Sequence, residues 1–88
     1  MIEDKRKNIN DLDEQILKLI NNRVQIAIDI GREKKNRGKE ITDQEREREV
    51  LNRVSRLNPG PLPEEGAREI FRTIIEATKK KEREVVSK

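Results

Sequence analysis

The N-terminal part of the chain holds a long amphipathic segment that constrains every fold open to this sequence. Residues 3–37 contain no proline and one glycine. Their apolar residues recur in steps of three and four, at Ile9, Leu12, Ile16, Leu19/Ile20, Ala27 and Ile30. This spacing predicts a single α-helix of about 35 residues, or ~50 Å. A compact globule of 88 residues is only ~30 Å across, so the helix must extend beyond the rest of the folded chain.

A second apolar stripe runs beside the first one and consists of Leu17, Val24 and Ile28. A helix with two apolar faces is typical of an element that packs one face on its own chain and the other on a partner. A second copy of the chain is the simplest cover for the excess length. The long helix therefore predicts a homodimer.

The end of the long helix and the start of a second one have clear local signals. Gly38 is a typical C-terminal stop, and residues 39–41 form a short connector. Thr42 and Glu45 have the spacing of a capping box, with Thr42 as the N-cap. We therefore expect the second helix to begin at about residue 43.

A third helix follows a region rich in proline and glycine. The second helix is expected to end near Leu57, because residues 58–63 contain three prolines and a glycine. The third helix begins near Glu64 and extends to the mid-eighties. No strand pattern, internal repeat or linker is present, so the sequence predicts one all-α domain of three helices over residues 1–88.

The composition excludes several classes of function. The sequence has no His and no Cys, so it cannot form a Ser-His or Cys-His nucleophile, a zinc site of the usual ligands or a disulfide. The lack of disulfides fits a cytoplasmic location. Its only aromatic residue is one Phe, which disfavours nucleic-acid binding by base stacking. No apolar run approaches the length of a membrane span.

Five polar residues interrupt the apolar faces of the three helices: Arg23, Lys34, Glu47, Thr78 and Glu82. A buried charge is costly unless it is paired or bound. Ion pairs of Arg23 with Glu47 and of Lys34 with Glu82 would explain the four inward charges without a ligand. Snorkelling of these side chains from the helix ends would do the same. Taken together, side chains from three inward faces predict a small polar pocket in a helical bundle. Its two cations suit a ligand that carries carboxylates.

Two further residues are candidates for ligand contacts. Asp43 lies at the first turn of the second helix, where its backbone N–H is free to bind a ligand oxygen. Arg6 lies beside the stripe of Leu17 and Val24, so it points toward the partner if that stripe is the dimer face. On spacing alone, Arg6 is a solvated residue near the N-terminus.

The order and spacing of these residues resemble the all-helical (AroQ-class) chorismate mutases. The resemblance covers roughly residues 5–84. It rests on Leu12-Asp13-Glu14-Gln15-Ile16-Leu17, on Asp43-Gln44-Glu45-Arg46-Glu47, which is similar to a D-x-x-R-E signature, and on Thr78-x-x-x-Glu82. It implies an intertwined homodimer of three-helix chains. It also implies an isomerase of aromatic amino-acid biosynthesis that rearranges chorismate to prephenate with no covalent intermediate, cofactor or metal. An intramolecular rearrangement of this kind needs neither His nor Cys.

The resemblance implies roles for the residues that hold the substrate. Arg6 would reach across the dimer to one substrate carboxylate, Arg23 would bind the other, and Thr78 would also hydrogen-bond a carboxylate. Ile30 and Ile75 would form apolar walls.

The resemblance also implies roles at the reacting atoms, where Arg23, Lys34, Glu47 and Glu82 are the catalytic candidates. Lys34 and Glu82 would flank the breaking ether oxygen, while Glu47 and the backbone N–H of Asp43 would hold the ring hydroxyl. Many relatives have Gln where this chain has Glu82. Because a carboxylate cannot donate a hydrogen bond, Glu82 would have to be protonated. Burial would have to raise its pKa against the opposing charge of Lys34.

Two other interpretations remain open. The chain could be a non-enzymatic basic helical module that binds DNA or a partner helix, for which the Lys79-Lys80-Lys81 run is the only signal. That run is more often a solvated helix end that complements the helix dipole. The same scaffold could instead act on an isochorismate-type substrate.

Overall fold

The computed structural model describes residues 1–40 and 42–86, and these residues form three α-helices. Helix α1 spans Ile2–Asn36, α2 spans Gln44–Leu57 and α3 spans Glu64–Val86. The three-helix, all-α prediction is therefore confirmed, with bounds close to those expected. Residue 41 of the predicted connector lies outside the described residues. None of the helices in the described ranges is both long and apolar enough to cross a bilayer.

Helix α1 ends at Asn36, two residues before the predicted stop at Gly38. Gly38 has φ +71°, a left-handed conformation that costs a residue without Cβ little. The backbone N–H of Gly38 donates to Lys35 O at 3.0 Å, and that of Lys39 donates to Lys34 O at 2.7 Å. These two hydrogen bonds form a Schellman motif, which satisfies two of the free carbonyls at the helix end.

Helix α2 starts one residue later than the capping box predicts. The N-cap is Asp43, whose Oδ1 accepts from the backbone N–H of Arg46 at 2.9 Å. The prediction of Thr42 as N-cap is wrong, because the Asp43 carboxylate takes the free N–H three residues on. The Thr42 hydroxyl lies 3.2 Å from an Arg83 guanidinium nitrogen instead, which ties the connector to α3.

Helix α3 is the central element and packs against both other helices. Its C-terminal half runs along the C-terminal half of α1, where the Lys35 ammonium donates to Val86 O at 2.6 Å. Its N-terminal half runs antiparallel to α2, where Arg68 donates to Leu51 O at 3.1 Å and to Ser55 Oγ at 2.9 Å. Because α1 and α2 each pack on α3, the position of α3 determines how α1 and α2 face one another.

The core of the described residues is very small. Its buried apolar side chains are Ile28, Ala67, Ile75 and Val86, and each keeps a few per cent of exposure. Ile28 belongs to the second apolar stripe of α1, and it is buried in its own chain with 6% exposure. The C-terminal end of that stripe therefore packs on α3. Burial of one Val or Ile side chain stabilises a fold by about 1.5–3 kcal/mol, and Ala contributes less. Four such side chains offset only a small part of the conformational entropy lost when the chain is ordered.

The molecule is much longer than it is wide. It measures 55 × 25 × 15 Å with a radius of gyration of 15.7 Å, whereas a compact chain of this size has about 12 Å. The excess is the N-terminal half of α1, where every residue from 1 to 19 is exposed. This half carries the apolar side chains Ile9, Leu12, Ile16, Leu17 and Leu19.

Candidate active site

A cleft of about 240 Å³ lies where the C-terminal half of α1, the start of α2 and the C-terminal half of α3 meet. The cleft is lined by eight of the nine residues that the sequence selects, namely Arg23, Ile30, Lys34, Asp43, Glu47, Ile75, Thr78 and Glu82. Helical periodicity places these residues on inward faces, and the packing of α1 and α2 on α3 brings the faces together. The predicted convergence of polar side chains in one pocket is present in the structure.

Arg6 is the ninth residue, and it is not part of this cleft. It lies in the exposed half of α1, 17 positions before Arg23, which corresponds to ~25 Å along the helix. An Arg6 side chain cannot span that distance within its own chain.

The two cations predicted in the pocket are weakly engaged. No hydrogen bond or ion pair between described residues involves the Arg23 guanidinium. The Lys34 Nζ lies 3.8 Å from Asp43 Oδ2, which is beyond hydrogen-bond range but close enough for attraction. The alternative ion pairs of Arg23 with Glu47 and of Lys34 with Glu82 do not form between these described side chains, because other charged groups lie closer to Glu47 and to Lys34.

Glu82 is buried at the inner end of the cleft, with 9% exposure. Loss of solvation raises its pKa above the ordinary value for a carboxyl group, and the positive charges of Lys34, Arg23 and Arg83 only partly oppose this shift. The direction agrees with what the sequence required of Glu82. A protonated carboxyl group at this position could donate a hydrogen bond to a ligand oxygen.

Gly31 provides the space that Glu82 occupies. A Cβ atom at Gly31 would lie 2.9 Å from Glu82 Oε2 and 3.4 Å from Val86 Cγ2. Glycine in a helix interior costs about 0.5–1 kcal/mol relative to alanine. Here it lets the Glu82 carboxyl group lie directly against α1.

Glu47 is held by a residue that the sequence interpretation placed elsewhere. Its Oε1 lies 3.4 Å from the Lys79 ammonium, and Lys79 lines the same cleft. The interpretation of Lys79 as part of a solvated helix end is wrong. Lys79 follows Ile75 by four residues and precedes Glu82 by three, so it lies on the same face of α3. That spacing is the signal that could have identified it.

Thr78 is buried in the cleft, and its hydroxyl already has a partner. The hydroxyl donates to the Ile74 carbonyl one turn earlier at 2.6 Å, a bond that Thr often makes inside helices. Its oxygen can still accept a hydrogen bond. To donate to a ligand carboxylate, as the resemblance implies, the hydroxyl must leave Ile74.

The cleft as a whole has the chemistry of a site for a small anion with an apolar body. Four cationic side chains line it, along with three carboxyl groups. Ile75 forms a buried wall, and Ile30 forms a half-exposed wall on the opposite helix. Ligand pockets combine apolar walls with a few convergent polar groups in this way.

The architecture is similar to that of two solved structures. Form II of chorismate mutase from Thermus thermophilus matches with a TM-score of 0.90 at 33% identity, and the match covers 92% of each chain. Form I of the same enzyme matches with a TM-score of 0.86 at 34% identity over 88% of this chain and 96% of that one. The shared fold therefore extends over nearly the whole molecule.

Two bifunctional enzymes, both named chorismate mutase/prephenate dehydratase, are similar in sequence. The one from Aquifex aeolicus is 41% identical over 76 residues, which is 82% of this chain and 21% of the relative. The one from Neisseria gonorrhoeae is 43% identical over 70 residues, 80% of this chain and 19% of the relative. The chain thus spans about a fifth of the length of these relatives. Residues 5–83 also match the model of the family chorismate mutase type II, and the chain belongs to that family.

Proposed function

We propose that the cleft is the active site of a chorismate mutase, which converts chorismate to prephenate. In this rearrangement the ether C–O bond breaks and a C–C bond forms within one molecule, and no group is transferred to the protein. The observation that carries the proposal is the meeting of Arg23, Lys34 and buried Glu82 in one cleft. Together these residues can hold a dicarboxylate and stabilise negative charge on the ether oxygen that joins its side chain to its ring.

Binding and orientation account for the first part of the proposed catalysis. The substrate is flexible and reacts only when its side chain folds over its ring. The Arg23 guanidinium binds one carboxylate, and Thr78 supports it once its hydroxyl turns from Ile74. Ile30 and Ile75 confine the ring between them. Holding reacting atoms in a near-attack arrangement can remove several kcal/mol from a barrier.

Charge stabilisation accounts for the second part. Negative charge develops on the ether oxygen as the C–O bond breaks, and fixed donors aimed at that oxygen lower the barrier. Lys34 supplies a cation, and protonated Glu82 supplies a neutral donor from the other side. Glu47 and the backbone N–H of Asp43 hold the ring hydroxyl. Glu47 Oε2 is buried and accepts no hydrogen bond from the described residues, so Glu47 retains the capacity to accept from this hydroxyl.

We further propose that the active form is a homodimer whose two clefts are each completed by the partner's α1. The apolar side chains of residues 9–19 are exposed in one chain, and an exposed stripe of this length indicates a protein partner. Arg6 then contributes a second guanidinium to the other chain's cleft and binds the remaining carboxylate. The cytoplasmic location expected from the composition stays a prediction.

The two rival interpretations have less support. The basic-module interpretation depended on the run from Lys79 to Lys81, yet Lys79 lies in the cleft and Lys81 lies 3.3 Å from Glu84. The run therefore offers no continuous basic face. An isochorismate-type substrate would meet the same residues, so the assay must compare the two compounds directly.

The test is to incubate the purified protein with chorismate and, separately, with isochorismate. We expect chorismate absorbance to fall and prephenate to appear in the NMR spectrum, with slower or no conversion of isochorismate. Failure of a folded, dimeric protein to convert chorismate would refute the proposed activity. Faster conversion of isochorismate would replace it with the related one.

A further inference from the structure

Lys79 is a charged residue of the cleft to which the resemblance assigns no role. Its side chain is 17% exposed, and its ammonium lies between two carboxylates, 3.4 Å from Glu47 Oε1 and 3.2 Å from Glu76 Oε1. Glu76 is on the surface, whereas the Glu47 side chain is 25% exposed and lines the cleft. Lys79 therefore connects a carboxylate inside the site to one outside it.

The charge of Glu47 is a problem for any anionic ligand. The cleft also contains Asp43 and Glu82, and like charges brought close together in a partly desolvated site repel one another. Asp43 has Lys34 within 3.8 Å, and burial raises the pKa of Glu82, which disfavours its charged form. Lys79 is the cation closest to Glu47, so the net charge that a ligand meets at Glu47 depends on this lysine.

Lys79 also has the means to stay charged in its half-buried position. Burial favours the neutral amine, but hydrogen bonds and attraction from Glu76 and Glu47 outweigh it and raise the pKa of Lys79. Glu76 thus secures the charge from the solvent side. The pair of Lys79 and Glu47 is part of a three-residue chain rather than an isolated contact.

We propose that Lys79 is a positioning residue, which neutralises Glu47 and fixes its orientation so that a dicarboxylate can bind beside it. This inference rests on the proposed function, because it assigns the ligand as the dianionic substrate. Lys79 itself does not touch the reacting atoms. Its effect on the substrate passes through Glu47.

The proposal predicts which kinetic parameter changes. The substrate carboxylates are charged both before the reaction and in its transition state, so Lys79 assists both states equally. Loss of uniform binding raises KM and leaves kcat nearly unchanged. For Lys79→Met, which keeps most of the apolar stem, we expect KM for chorismate to rise about fivefold, with kcat within about twofold of wild type.

Two companion variants control for effects of the substitution itself. Lys79→Arg restores the cation and should return KM close to the wild-type value. Lys80→Met makes the same change at the neighbouring exposed position and should leave both parameters unaltered. Circular dichroism and size measurements would confirm that all three variants fold and assemble as the wild type does.

The decisive experiment is a double-mutant cycle with Glu47→Gln, which removes the charge that Lys79 is proposed to neutralise. We expect Lys79→Met to change KM by less than about twofold in the Glu47→Gln background, because coupled residues are not additive. An equal increase of KM in both backgrounds would show that Lys79 acts on the substrate directly and would overturn the proposal. So would a Lys79→Met enzyme with wild-type KM. A wild-type protein that converts no chorismate would instead refute the proposed function and remove the premise of this inference.

Discussion

The two halves of α1 have the same helical pattern but opposite surroundings. In the C-terminal half, Ile28 and Gly31 are buried against α3, and Arg23 and Lys34 line the cleft. In the N-terminal half all of residues 1–19 are exposed, although apolar residues recur there just as regularly. Periodicity shows which face of a helix is buried, while the identity of the covering element is set by tertiary or quaternary packing. The contrast indicates that the N-terminal half packs on a second copy of the chain.

The largest expected effect comes from a charge placed in the exposed stripe. Ile16→Glu would put a carboxylate into the proposed dimer interface, where burial of an unpaired charge costs several kcal/mol. We expect loss of the dimer by analytical ultracentrifugation and loss of nearly all activity. Lys18→Glu introduces the same group on the polar side of α1 and should change neither. A dimeric, active Ile16→Glu protein would mean that this stripe has another occupant.

The next effect tests the C-terminal half of α1, where the proposed chemistry occurs. Arg23→Ala and Lys34→Ala should each lower kcat/KM by roughly 10²–10³, the range seen when one oxyanion donor is removed. The dimer should persist, because neither residue belongs to the exposed half. Lys39→Ala removes a nearby cation of the connector that does not line the cleft and serves as the control. Near-normal turnover by either cleft variant would contradict its assigned role.

A smaller effect comes from pH, through Glu82. The proposed mechanism needs its protonated form, and burial raises its pKa. Activity should therefore be full below that pKa and should fall about tenfold per pH unit above it. Glu82→Gln keeps a neutral donor at every pH, so its profile should be flat across this range. A wild-type profile that is flat from acid to mildly alkaline pH would refute the need for a protonated Glu82.

The smallest effect concerns the close packing of α1 on α3 at Gly31. Gly31→Ala should improve helix propensity by about 0.5–1 kcal/mol but push the Glu82 carboxyl group away from the α1 backbone, toward the Lys34 ammonium and solvent. We expect an unchanged or slightly higher Tm, a kcat/KM lowered several-fold and a pH decline shifted to lower values. The shift should vanish in the Gly31→Ala/Glu82→Gln double variant. An unshifted profile in Gly31→Ala would show that the glycine has only a packing role.

Much of this fold is readable from local sequence signals. The left-handed Gly38, the break at residues 58–63 and the spacing of apolar residues define three helices within a residue or two. The cleft residues are readable for the same reason, since an inward charge on an amphipathic helix is visible as an interruption. Both conclusions need only the geometry of a single helix.

What the sequence does not determine is how the helices are rotated and paired. Ile28 packs in its own chain because α3 covers that end of the stripe, which no pattern within α1 can indicate. Thr42 and Asp43 are both good N-caps, and the tertiary bond from Arg83 to Thr42 accompanies the choice of Asp43. Lys79 has a long flexible stem, so its ammonium can reach either solvent or Glu47 from one backbone position.

The central claim is that each cleft is completed by Arg6 from a second copy of the chain, and mixing two inactive variants tests it directly. Arg6→Ala and Lys34→Ala would be unfolded together in equal amounts and refolded, so that mixed dimers form. Each mixed dimer contains one cleft with Lys34 from one chain and Arg6 from the other. Because half of the dimers are mixed, we predict recovery of about a quarter of wild-type activity. A mixture that is no more active than the mean of its two components would contradict the account.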